Sequence, residues 1–206
     1  MTTKPEIVSA AARLIRARSY EAVSIRDICE AVGIPKGSFY YWFKTKEELG
    51  LAVLDHDWEE SSKRIYGSAF SSDLPPLERF DRYAESVKTM QEGWDRAYGC
   101  PFGSVGSEAT GLHPGLQDAA AEMLARMSEL FKGAIDDAIA AGEIPEQDSS
   151  AAAADAVLAL TEGMLLVAEI RNDITVFDGL GPGIRALIGA PARQMDSGAN
   201  HARIRA

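Results

Sequence analysis

Residues 33–49 read GIPKGSFYYWFKTKEEL and concentrate side chains suited to meeting a polyanion. Lys36 and Lys46 carry ammonium groups. The phenols of Tyr40 and Tyr41 and the indole of Trp42 can donate to phosphate oxygens, and their rings can rest on sugars and thymine methyls. Phe39 and Phe43, four residues apart, share one face of a helix and suit a core. Tyr40, Tyr41 and Trp42 are then left at or near the surface, where a row of rings needs something to cover it. Lys36, Ser38 and Tyr41 are the first side chains such a helix exposes, and Gly37 lets its backbone come close to a partner. Lys46 sits in the first turn of the following helix. A cation is locally disfavoured there, so a phosphate partner competes with simple solvation. Arg26 can address a base, or pair with Glu30 one helical turn on.

Catalytic chemistry has little support. His56, His113 and His201 are scattered, and His56-Asp57 is a lone pair. There is no metal-ligand cluster, no phosphate loop and no Ser/His/Asp set. No catalytic residue, metal or cofactor is expected, and a helical enzyme is the weakest of the readings considered. A ligand-binding or interaction module with a vestigial DNA-binding head is the nearer competitor. Two cysteines, Cys29 and Cys100, make no disulfide framework.

The elements that hold these residues are helical almost throughout. Thr3 with Glu6, Ser24 with Asp27 and Thr45 with Glu48 have the spacing of capping boxes, three helix starts in 50 residues. Gly33 stops the second helix, and Pro35 opens the aromatic one. Two short helices joined by this tight turn form a helix-turn-helix, whose second member lies in the major groove. The fourth helix spans about 46–68. "SSDLPPLERF" marks a break, and Leu77, Phe80, Tyr83, Val87, Met90 and Trp94 pattern the next helix. A short element near Ser104–Ala109, long helices over about 114–141 and 148–172, and a last one over about 174–188 complete the chain. The expected fold is all-α with about nine helices. Residues 1–50 form a three-helix head and residues 51–189 a helical body for ligand binding and dimerisation. Residues 190–206 are expected to be a disordered tail.

Charge follows this division. The chain has 206 residues and a formal net charge of −10, yet its first 50 residues hold eight basic against six acidic groups. A mildly basic head on an acidic body confines DNA contact to the head. The N-terminus has no apolar run of signal-peptide length. Asp155 and Glu162 interrupt the most apolar stretch, so no membrane span is expected and the cytoplasm is the expected location.

The segment SIRDICEAVGIPKGSFYYWFKTKEEL resembles the DNA-binding region of the TetR family of transcriptional repressors. The likeness rests on Gly33-Ile34, Gly37-Ser38, Tyr40, Phe43 and Lys46-Glu47-Glu48-Leu49, and it covers roughly residues 5–55. It implies that Arg26, Lys36, Gly37 and Tyr40 face bases, while Ser24, Ser38, Tyr41, Trp42 and Lys46 hold phosphates. Pro35 departs from the commoner Ser or Thr. The resemblance also implies a repressor released from a pseudo-palindromic double-stranded DNA operator by a small-molecule effector. It implies a homodimer paired through the helices at about 114–141 and 148–172. The nearly all-round apolar character of the second of these, with Ala151–Ala154 at its start, suits that role.

In the body, Tyr83, Met90, Trp94, Tyr98 and Phe102 are candidates for the wall of an apolar pocket, or for ordinary core. Glu162, a carboxylate in an apolar run, needs a partner and can address either a ligand or another side chain. Gly99-Cys100, Gly103 and Glu108 resemble a GCxxGxxxxE motif in a TetR subgroup that includes electrophile- and acrylate-responsive repressors. Cys100 matches a cysteine that senses electrophiles in some members. A place at a helix N-terminus would favour its thiolate; a packed, inert cysteine is the alternative.

Overall fold

The structure, a computed structural model, describes residues 3–192, so most of the expected tail lies outside the described residues. Helix α1 (Lys4–Arg18) starts where the Thr3 N–H donates to the Glu6 carboxylate at 2.7 Å. Helix α2 (Ile25–Val32) starts with the reciprocal pair Ser24–Asp27: the Asp27 N–H donates to Ser24 Oγ at 3.2 Å and the Ser24 N–H to Asp27 Oδ2 at 2.8 Å. Gly33 closes α2 with φ +68°, a left-handed turn that a side chain would strain. Helix α3 (Lys36–Trp42) follows at once. These caps are local chemistry, each satisfying backbone groups that a helix end leaves open. The third box differs in detail. The Glu48 N–H donates to Thr45 Oγ1, but its carboxylate accepts from the Lys44 N–H rather than from Thr45.

Helix α4 is one continuous rod made of Lys46–Ser61, a π turn Ser62–Tyr66 and Gly67–Ala69. The wide turn lets the adjacent Ile65 and Tyr66 both bury. Then come α5 (Pro76–Glu92), α6 (Pro101–Ala109), α7 (Pro114–Ala140) and α8 (Ser150–Arg171). The single last helix read from the sequence divides into a 3-10 segment Ile174–Gly179 and α9 (Leu180–Leu187). The described residues thus hold nine α-helices and no strand.

The head packs α1, α2 and α3 around Ile7, Ala11, Ile28, Phe39 and Phe43, all with no exposed surface. Helix α4 crosses from this head into the body, contacting α1 at one end and α7 further along. The body core is an aromatic chain in which Trp58 stacks on Tyr66, Tyr66 on Tyr83, and Tyr83 meets Phe131 edge-on at 5.0 Å. Such offset and edge contacts are the favoured geometries for ring pairs.

Helix α8 is apolar nearly all round. It buries only one face, Ala154, Val157, Thr161, Leu165 and Ala168, mainly against α7. Ala152, Ala159, Gly163, Leu166 and Ile170 form an opposite stripe that faces outward, with Ile170 74% exposed and Leu166 55%. By length and composition α8 is apolar enough to cross a bilayer.

Candidate functional site

Two regions gather the residues singled out above. The first is the outer surface of α3. Phe39 and Phe43 anchor it, while Tyr41 stands 74% exposed and Tyr40 41%. Lys36 and Gly37 are exposed and Ser38 is half-buried. Lys36 Nζ lies 6.0 Å from the Tyr40 ring. Trp42 is drawn inward: half-buried, it packs against the head core and meets Tyr41 edge-on.

Three of the proposed DNA contacts are occupied within the chain. The Ser24 hydroxyl donates to Asp27 at 2.6 Å, so its proton serves the cap. Arg26 Nε donates to Glu30 at 2.7 Å on an exposed face. Lys46 Nζ does not point outward; it sits 4.2 Å from the Tyr20 ring centre and 3.4 Å from the Glu21 carbonyl oxygen. The cation in this first turn thereby meets a ring face and a carbonyl dipole within the chain.

The second region is a cavity of about 590 Å³ between α1 of the head and the body helices. Six of the seven candidate ligand residues line it: Tyr83, Met90, Trp94, Tyr98, Cys100 and Phe102. Trp94 reaches it from the loop after α5, since that helix ends at Glu92. The Gln91 side chain holds the loop, donating to the Tyr98 carbonyl and accepting from the Tyr98 N–H.

Glu162 does not line the cavity; it sits behind Cys100. Its Oε1 is buried without a partner, and its carboxylate accepts from the Cys100 thiol. Burial pushes the Glu162 carboxyl up. A Cβ on Gly103 would lie 2.6 Å from Glu162 Oε2, so glycine is what lets α6 approach this carboxylate. Cys100 is the N-cap of α6, and of the two readings offered by the sequence the packed cysteine is the one its surroundings favour. Burial, then the neighbouring Glu162, push the thiol well above its ordinary range, outweighing the N–H groups of Gly103 and Phe102.

Arg16 was not singled out in the sequence, and Asp57 only as the neighbour of His56, yet the two cross the head–body seam. Arg16 Nη2 donates to Asp57 Oδ1 at 2.8 Å, and the guanidinium lies 4.8 Å from the Trp94 ring. Asp57 is only 5% exposed. Burial raises its carboxyl despite the opposing pull of Arg16. A signal existed: Asp57 is three and four residues past Leu54 and Val53, a carboxylate on the buried stripe of its helix. A second cavity of about 340 Å³ shares Arg16, Asp57, Gly99 and Pro101 with the first. Among the described residues no cluster of three or more His, Cys, Asp or Glu could hold a metal.

Residues 7–53 match the family described as bacterial regulatory proteins, tetR family, and residues 76–180 match the tetracyclin repressor-like C-terminal domain. The chain is 32% identical over 166 residues to transcriptional regulator AcuR of Cereibacter sphaeroides, covering 76% of this chain and 72% of that protein. The chain belongs to the tetR family. It is 28% identical over 177 residues to an uncharacterised HTH-type transcriptional regulator from Lactococcus lactis, covering 85% and 88% of the two chains. A tetR-family regulator from Legionella pneumophila superposes with a TM-score of 0.77 at 25% identity, covering 91% of this chain and 98% of that one.

As a tetR-family member the protein is a DNA-binding transcriptional regulator with a helix-turn-helix head and a helical C-terminal region. The first tetR match ends within α4, and the second begins at Pro76, the first residue of α5. Asp57 and Tyr66 fall between the two matched regions.

Proposed function

We propose that the protein is a homodimeric repressor that leaves a pseudo-palindromic operator when a small molecule fills the 590 Å³ cavity. The observation that carries this reading is the double wall of that cavity, with Ser9, Ala12, Arg13 and Arg16 from α1 on one side and body residues on the other. A ligand touching both parts can favour one relative placement of the head over another, which is what shifts a population between binding and non-binding states. Residues 1–50 act as the DNA-binding head and residues 51–189 as the effector and dimer region. Action on chromosomal DNA makes the cytoplasm the site of function.

On the operator, Lys36, Gly37, Tyr40 and Arg26 address bases, and Ser38, Tyr41 and Trp42 address phosphates. Arg26 does so by exchanging Glu30 for DNA. Lys46 reaches a phosphate only by leaving Tyr20, and Ser24 only by leaving Asp27. The outward stripe Ala152, Ala159, Gly163, Leu166 and Ile170 supports pairing of α7 and α8 with a second copy, because exposed apolar faces of this length seek cover and two heads read two half-sites. Gly99, Cys100 and Gly103 at the start of α6, with Cys100 and Gly103 beside Glu162 and Gly99 beside Glu169, support a place in the GCxxG subgroup.

The test is selection of bound sequences from a random DNA pool, followed by titration of the selected site. A two-fold-related site is expected. Lys36→Glu should weaken it strongly, whereas unchanged affinity in Lys36→Glu would remove the α3 assignment. A single, non-repeated half-site bound by a monomer would remove the dimer.

A further inference from the structure

Helix α4 holds one residue more than an unbroken α-helix between the same ends would need. Across Ser62–Tyr66 the Gly67 N–H reaches back five residues to the Ser62 carbonyl. Single wide turns of this kind are rare and recur at functional sites. Each residue turns an α-helix by about 100°, so the surplus residue decides which side chain faces the body. Here it brings Tyr66 in beside Ile65, the two being 7% and 3% exposed. Both line the 590 Å³ cavity. Ring contacts hold Tyr66 there, at 5.4 Å from Trp58 and 6.1 Å from Tyr83.

Gly67 is what permits the wide turn. A Cβ at this position would lie 2.9 Å from the Ser62 carbonyl oxygen, a backbone atom that cannot swing aside. Gly67 is exposed, so the place that follows Tyr66 on the helix is open to solvent. Past it, the Phe70 N–H bonds to the Tyr66 carbonyl at 2.9 Å where the helix ends. The surplus residue can therefore be held in either of two places. With the wide turn moved to the helix end, the Tyr66 N–H takes the Ser62 carbonyl and the Phe70 N–H takes that of Ile65. Phe70, packed on Phe80 and Phe131, keeps its place. Ile65 then stands where Tyr66 stood, Tyr66 where Gly67 stood, and Ser68 where the buried Ala69 stood.

We propose that this exchange sets the size of ligand the cavity accepts, with Tyr66 and Gly67 as its specificity-determining residues. With the turn at Ser62–Tyr66, the phenol closes one wall. With the turn at the helix end, the smaller Ile65 side chain replaces it and the cavity widens beside Tyr83 and Phe102. Bulky apolar ligands, filling the place of the ring, draw the population to the open form. This deepens the effector reading above and rests on it for the ligand, while the exchange itself stands on α4 alone.

The experiment follows nitration of Tyr66 by tetranitromethane in the full-length protein, located by peptide mass spectrometry. Tyr83, 1% exposed, is the internal reference for general opening. Two variants move the exchange in opposite directions. Gly67→Ala penalises the present turn and suits an ordinary helix. Deletion of Lys63, an exposed residue of the turn, removes the surplus residue and leaves Tyr66 in the wall. Relative to Tyr83, Tyr66 should react at least tenfold faster in Gly67→Ala than in the native protein, and at least tenfold slower in the deletion variant. Nile red, a bulky uncharged dye, should bind Gly67→Ala at least tenfold tighter than the deletion variant. Equal Tyr66 rates in the three proteins, or rates that move only with Tyr83, overturn the exchange. Equal Nile red affinities, binding to neither included, overturn its effect on ligand size. Should Gly67→Ala not fold, the deletion variant against the native protein decides both. Selected operator DNA separates the two readings. Nile red binding that follows the variants but leaves operator affinity unchanged sinks the effector reading alone.

Discussion

His113 Nε2, at the start of α7, lies 3.0 Å from Glu21 Oε1 in the turn between α1 and α2. Its other ring nitrogen is 4.0 Å from Glu47 of α4, and the Glu21 N–H donates to Glu108 of α6 at 2.9 Å. The Tyr20 ring meets the His113 ring edge-on at 5.6 Å. Head and body are therefore fastened here as well as at Arg16–Asp57, and this fastening is largely exposed to water.

An exposed tie of this kind is worth little stability, about 0.5–1 kcal/mol, but it can carry motion between the parts it joins. His113→Ala should lower the melting temperature slightly and leave effector affinity nearly unchanged. It should reduce the effector's influence on operator affinity several-fold. Paired titrations, effector with and without DNA, read this directly. Full coupling in the variant would assign the transmission to α1 and α4 alone.

Phe39 has no exposed surface and touches Phe43 inside the head. Phe39→Ala should destabilise the protein by about 3–5 kcal/mol through lost burial and a residual cavity. Urea unfolding followed by circular dichroism measures it. Tyr41→Ala, on the same helix but 74% exposed, should change stability by less than about 0.5 kcal/mol while weakening operator binding.

Leu166→Glu places a charge in the outward stripe of α8, where Leu166 is 55% exposed and Ile170 74%. A charge in a two-fold interface meets its own copy, so the dimer should dissociate and operator affinity fall together. Sedimentation velocity gives the first quantity and DNA titration the second. A variant that stays dimeric would move the interface elsewhere.

Glu162 supplies a pH signature. Its carboxyl is raised in the folded state by burial, with the Cys100 thiol opposing less strongly. A raised carboxyl means that the folded protein holds this proton more tightly than the unfolded chain. The favourable contribution is complete below the unfolded value near 4.5 and disappears as pH rises through the folded value. Glu162→Gln should therefore gain stability over the native protein between pH 5 and pH 7, and gain nothing at pH 4. Denaturant unfolding across that range checks the sign.

Much of the head could be read without a structure because its signals are local. Capping residues act over three positions, a left-handed glycine over one turn, and the division of five rings between core and surface over a single helix. Those rules placed α1 to α4, and they separated Phe39 and Phe43 from Tyr40 and Tyr41. They did not reach the partners of Lys46 within the chain, since Tyr20 and Glu21 are distant in sequence and come beside it only when the head packs on α4. For Cys100 they left two readings open, because the helix N-terminus was visible in the sequence and the burial beside Glu162, which decides for the packed cysteine, was not.

The sequence by itself determined the helices, the helix-turn-helix and the family, since periodicity and caps are written in neighbouring residues. It also named six cavity-lining side chains, because aromatic residues around one helix end and its loop converge with little help. Only the tertiary structure brought Arg16 to Asp57, 41 residues apart, and set Glu162 behind Cys100. Those pairings depend on how α1, α4, α6 and α8 cross. Crossing is decided by the fit of whole helix faces, which no short stretch of chain contains.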